Sequence, residues 1–158
     1  METYSYDQSL EKIERFMIDT GIRRLCTDAC VGHCCGNCYK SNNACHKNEG
    51  RRLTCSFWLC VYLKRLIFSK EEYSNMSSLQ EYIEKEVSSI TGKSRTNADV
   101  FFKRYTKKQL QELKNARFDK EMIDIIDQCD VKQISRLVGD VSVLMHRARS
   151  AHLRTIRE

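Results

Sequence analysis

Eight of the chain's nine cysteines fall between Cys26 and Cys60, in the order Cys26, Cys30, Cys34, Cys35, Cys38, Cys45, Cys55 and Cys60. A thiol at roughly every fourth or fifth position is far denser than apolar burial alone calls for. Covalent or coordination chemistry is therefore expected to fix this segment. Before Trp58 the stretch has few large apolar residues, so bound metal would supply folding free energy that it otherwise lacks.

The rest of the sequence chooses between disulfides and metal. The N-terminal METYSYDQSLEKIERFM has no basic start followed by an apolar block, so no secretory signal is expected. The most apolar stretch, Phe57 to Leu63, stops at Lys64 and Arg65, well short of a membrane span of roughly 20 residues. The expected location is cytoplasmic, where thiols stay reduced and a cysteine run reads as a metal site. Zinc is the expected cofactor, with two ions for eight thiols. An iron–sulfur cluster is the alternative, since sulfur-rich ligand sets suit both.

Spacing constrains the ligand sets. Cys35-Gly36-Asn37-Cys38 is a C-x-x-C with two turn-forming residues at its centre. Cys26, Cys30 and Cys34 step by one helical turn and can share a face. On a helix, Cys55 and Cys60 lie roughly 140° apart, so one ion takes both only if Cys55 precedes the helix. The adjacent Cys34 and Cys35 diverge, which favours two sites or a sulfur-bridged pair of ions. His33 and His46 are possible additional ligands. Cys129, beside Ile125 and Ile126, reads as a small buried hydrophobe.

The pattern Cys30-x3-Cys34-Cys35-x2-Cys38, then Cys45, then Cys55 with Phe57 and Trp58, then Cys60, resembles the zinc- or iron-chelating domains of the YkgJ type. It is also similar to small uncharacterised bacterial and phage proteins with a CC-x2-C…C…C-x4-C layout. The resemblance covers residues 26–60 only. The chain departs from the chelating family in its Cys30-x3-Cys34 gap and in having no Arg-Pro before the last cysteine. The likeness implies metal binding and carries no reaction.

Charge is uneven along the chain. Residues 26–70 carry seven basic and two acidic side chains, and residues 131–158 carry six and two, within an overall net charge of +6. Part of the first excess can balance metal-bound thiolates. The remaining basic positions are candidates for contact with nucleic acid or an acidic protein partner: Arg51 and Arg52; Lys103, Arg104, Lys107 and Lys108, which are interleaved with Phe101, Phe102 and Tyr105; and Arg147, Arg149, Arg154 and Arg157. There is no Gly-rich phosphate loop and no HExxH. Asp124, Asp127 and Asp130 read as a solvated acidic edge of a helix.

The expected fold class is all-α: a small helical domain with an irregular metal-bound cysteine segment and a long C-terminal amphipathic helix. Apolar spacing predicts helices over Tyr4 to Asp19, ending at Gly21, and over Thr54 to Phe68, the latter buried all round. Capping boxes at Ser77 or Ser78 and at Thr106 predict helices ending before Gly92 and running through Leu113. Asn97 is expected to cap a short helix through Phe102, Asp119 to Cys129 to be helical, and no strand is expected. Ile134, Leu137, Val141, Leu144, Ala148 and Ala151 form a seven-residue apolar repeat suited to packing on the chain's own core or to a homodimer. The organisation expected is a unit over residues 1–70 and a helical unit over 71–158, packed together. The expected role is a metal-stabilised, non-enzymatic regulatory module that binds nucleic acid or a nucleic-acid-associated complex, without membrane contact. The alternatives are a protein-interaction module, such as a phage-type inhibitor of a host complex, and an iron–sulfur redox accessory protein.

Overall fold

A computed structural model describes residues 1–25, 52–55 and 61–157, with only the backbone of Arg52, Cys55, Tyr62, Phe101, Phe102 and 149–157. The first element is a strand. Thr3–Ser5 (β1) pairs antiparallel with Arg117–Asp119 (β2), with Tyr4 opposite Phe118. The expected helix start at Tyr4, and the expected absence of strands, are both corrected by local capping. Ser5 is extended, its Oγ accepts from Gln8 N at 3.1 Å, and its own N donates to Gln8 Oε1 at 2.9 Å. That reciprocal cap starts α1 at Tyr6–Asp19 and leaves Tyr4 outside it.

The helices follow in chain order: α2 (Ile22–Arg24), α3 (Arg52–Cys55), α4 (Val61–Ile67), α5 (Lys70–Thr91), α6 (Asp99–Phe102) and α7 (Lys107–Asn115). After β2 come α8 (Lys120–Ile123), a 3₁₀ turn (Asp124–Gln128) and α9 (Val131–Arg157). The described residues are thus mostly helical, as an all-α chain requires. A single core joins Tyr6, Ile13 and Phe16 of α1 to Leu79 and Ile83 of α5, Phe118 of β2 and Ile134 of α9. Each large side chain moved out of water contributes roughly 1.5–3 kcal/mol, so this shared core couples elements far apart in the sequence. No helix among the described residues is long and apolar enough to cross a membrane.

Gly21 ends α1 as expected, and for a steric reason. Its φ is +78°, and a Cβ there would lie 3.3 Å from Val138 Cγ1. Only glycine lets the chain turn this close beneath α9. Gly92 likewise closes α5 at φ +74°. The Thr106 capping box also forms, with Gln109 N donating to Thr106 Oγ1 at 3.1 Å.

Four other expectations change. The cap of α5 is Ser69 with Glu72, so Ser77 and Ser78 lie inside the helix. Ala98, at φ +59°, precedes α6, while Asn97 N donates to Ser94 Oγ. The helix expected over Asp119 to Cys129 is broken: Asp119 is in β2 and caps α8, and the chain then tightens into the 3₁₀ turn. Finally, α4 is buried on one face only. Leu63 and Ile67 pack inward, whereas Val61 and Leu66 are exposed.

Candidate functional site

The long C-terminal helix is built from its N-terminus. Asp130 Oδ1 accepts from Gln133 N at 3.0 Å, and Asp130 N donates to Glu72 Oε2 at 2.8 Å, fixing the start of α9 to α5. From there α9 runs 27 residues, about 40 Å at 1.5 Å per residue. Ile134, Val138 and Val141 are buried. Past Val141 burial thins, with Leu144 62% exposed, but Met145 still packs against the core. The described part of the stripe thus rests on the chain's own core from Ile134 to Met145.

Advancing about 100° per residue, the helix sets Lys132, Arg136 and Arg147 opposite the buried face, and all three are exposed. Positions 154 and 157 fall in the same sector, while Arg149 lies on the other flank. Asp140 is the one carboxylate in this sector, and residues 142–157 contain none. The result is a basic ridge turned away from the core.

The second basic cluster is arranged differently from the stacking platform its sequence suggests. Tyr105 is buried, and its hydroxyl donates to Val100 O at 2.9 Å. A phenol held this way cannot stack on a base. Lys103 pairs with Asp99 at 3.1 Å, and the Arg104 carbonyl accepts from Lys93 Nζ at 2.7 Å. Lys93, itself buried, also lies 4.6 Å from the Tyr105 ring centroid. The side chains of Arg104, Lys107 and Lys108 are exposed. Lys107 and Lys108 occupy the first turn of α7, where the helix dipole disfavours cations.

The metal-ligand candidates Cys26, Cys30, Cys34, Cys35, Cys38, Cys45 and Cys60, with His33 and His46, lie outside the described residues, as does Arg51. Arg52 and Cys55 have a described backbone in α3. Among the described residues, no group of three or more His, Cys, Asp or Glu side chains is placed to hold a metal ion. On either side of those undescribed residues, Leu25, Leu53 and Thr54 are buried.

Sequence reasoning missed a charge cluster joining the two chain halves. Asp124 accepts from Tyr4 Oη at 2.7 Å and from Lys12 Nζ and Lys120 Nζ at 2.5 Å each. Lys12 also reaches Asp127 at 2.7 Å. The aspartates expected to form a solvated edge are thus partly turned inward, because the 3₁₀ turn aims Asp124 at β1 and α1. Burial alone would raise the Asp124 carboxyl, but its three donors outweigh that and hold it well below the usual carboxylate range. Burial would likewise lower Lys12, yet Asp124 and Asp127 keep its ammonium above the ordinary value. Lys120 is raised chiefly by its bond to Asp124. Burial pushes the Cys129 thiol up to about 11 and raises Tyr82. All five groups move away from neutrality, which suits fixed charge and packing rather than proton transfer. Nothing local in the sequence signals the cluster, since Lys12 and Asp124 are 112 positions apart.

No known protein family, no characterised protein and no solved structure matches the chain.

Proposed function

We propose that this chain is a metal-stapled helical module that binds nucleic acid along the basic ridge of α9. The observation that carries the reading is the basic ridge. Exposed Lys132, Arg136 and Arg147 lie opposite the buried face, positions 154 and 157 continue the line, and no carboxylate interrupts it after Asp140. Cations in one sector of a helix about 40 Å long suit a regular row of phosphates, and their binding releases condensed counterions. Lys107 and Lys108 support the reading more weakly. They sit where the helix dipole makes a cation unfavourable, so an anionic partner would relieve a standing electrostatic cost.

Binding is tested by fluorescence anisotropy with labelled single- and double-stranded oligonucleotides over a salt series. Affinity should fall steeply from low to physiological salt. Failure to bind either oligonucleotide at low salt refutes the reading. Capture instead of one stoichiometric acidic protein would favour the protein-interaction alternative.

The staple is proposed to hold two zinc ions through thiolates among Cys26, Cys30, Cys34, Cys35, Cys38, Cys45, Cys55 and Cys60, with His33 or His46 able to replace a thiolate. The support is their number and spacing, together with the buried anchors Leu25 and Leu53 at the two ends of the segment. Such closed sites add folding free energy and leave no open coordination position for chemistry. Elemental analysis after anaerobic purification should find zinc without iron or sulfide. A coloured preparation containing iron and sulfide would instead favour the iron–sulfur reading.

A further inference from the structure

Resting on the nucleic-acid reading and deepening it, we infer that the partner is duplex DNA and that α9 crosses its major groove with Gly139 at the point of closest approach. Among the described glycines, Gly21 and Gly92 have positive φ, and Gly21 also lies against Val138. Gly139 has neither reason. Its backbone is helical, and a Cβ built on it meets nothing within 4 Å among the described residues. It is exposed in the interior of a 27-residue helix, where only proline is a poorer choice. The fold gains nothing from a glycine there. A bare backbone on an outer face serves close approach from outside.

The residues around Gly139 fit a groove. At about 100° per residue, Gly139 and the half-exposed Val143 fall in the sector of Lys132, Arg136 and Arg147. Arg136 and Arg147 are 11 positions apart, about 16 Å along the axis. Cations at that separation reach the two phosphate walls of a major groove about 12 Å wide. Between them lie Gly139, Asp140 and Val143, so the least basic part of the ridge faces base edges. There the Asp140 carboxylate accepts from cytosine N4 and Val143 meets a thymine methyl, whereas phosphate would repel Asp140. A single strand has no paired walls, and the buried Tyr105 cannot stack its bases. Duplex RNA has a major groove too deep and narrow to be entered this way.

The test is fluorescence anisotropy at one low salt concentration with duplex DNA, single-stranded DNA and duplex RNA of matched sequence. The full wild-type chain should bind duplex DNA most tightly. Gly139→Leu should weaken duplex binding by about tenfold, the scale of one lost base contact, and leave single-strand binding unchanged. Gly139→Ala, with one added methyl, should weaken it by less. Both variants should melt above wild type, by about 2–4 °C, so the lost binding is not lost folding. Duplex binding that survives Gly139→Leu, or single strands or duplex RNA bound as tightly as duplex DNA, overturns this inference and leaves nucleic-acid binding standing. Equal losses for the alanine and leucine variants also overturn it, by making the glycine a bend in the helix. So does a variant melting below wild type, because the fold would then need the glycine. A wild-type chain that binds none of the three oligonucleotides overturns both readings.

Discussion

Replacing Asp124 by Asn removes one negative charge from the cluster that ties β1 and α1 to the 3₁₀ turn. The aspartate accepts three hydrogen bonds, at 2.7 Å from Tyr4 and 2.5 Å from Lys12 and from Lys120. Its side chain is 21% exposed and that of Lys12 26%. The pair therefore lies between exposed ion pairs, worth about 0–1 kcal/mol, and buried ones, whose breakage costs about 3–5 kcal/mol. Asparagine keeps a neutral acceptor oxygen but leaves two ammonium groups facing each other. A loss of about 2 kcal/mol is expected, or a Tm lower by about 4–8 °C in a chain of this size. The dependence on pH gives a second signature. A carboxyl held below its usual value stabilises the fold fully above that value, and the contribution is lost as pH falls toward and through the depressed one. The gap between wild type and Asp124→Asn, followed by circular dichroism during thermal melts, should thus be constant at neutral pH and narrow below about pH 4. A variant melting within about 1 °C of wild type at neutral pH, or a gap unchanged in acid, would refute the argument.

Three further outcomes follow from the same structure. Gly21→Ala should destabilise more than Gly92→Ala: both have positive φ, at about 1 kcal/mol or more each, but only Gly21 also presses on Val138, at 3.3 Å. Equal melting losses for the two variants would contradict the proposed close approach. Cys129 is buried with its thiol pushed up to about 11, so alkylation at mildly alkaline pH should leave it unmodified until the chain unfolds; modification of the native protein there, read by peptide mass spectrometry, would contradict this. Thr106→Ala should cost about 1 kcal/mol through loss of the α7 cap, read from chemical denaturation; an unchanged midpoint would remove that role.

The parts legible in the sequence are those governed by local chemistry. The Thr106 box, the positive-φ glycines after α1 and α5, and the buried Cys129 each depend on a few neighbouring residues. β1 was illegible because three residues are too few for alternation to register, and its reason for being a strand, Phe118, is 114 positions from Tyr4. Ser77 and Ser78 carry the same capping signature as Ser69, and only the packing of Met76 and Leu79 places the helix start earlier. At the candidate site, the arginines were legible, but the point at which burial along α9 thins was not. A continuous apolar repeat does not distinguish Val141, which is buried, from Leu144, which is exposed. The Asp124 cluster needed tertiary structure altogether, because its members come from β1, α1, α8 and the 3₁₀ turn.

The central claim is that the arginines of α9 past Met145 carry the binding while the core stands without them. The direct measurement compares the full chain with one ending at Met145, which still packs against the core, in oligonucleotide binding over a salt series. Residues 146–157 supply four arginines, and each phosphate neutralised on a duplex contributes about −0.9 to the slope of log affinity against log salt. The full chain should bind with a slope of about −3 or steeper, and the shortened chain should melt cooperatively yet lose most of the affinity and most of the slope. A folded, shortened chain that binds with undiminished affinity and slope would contradict the account.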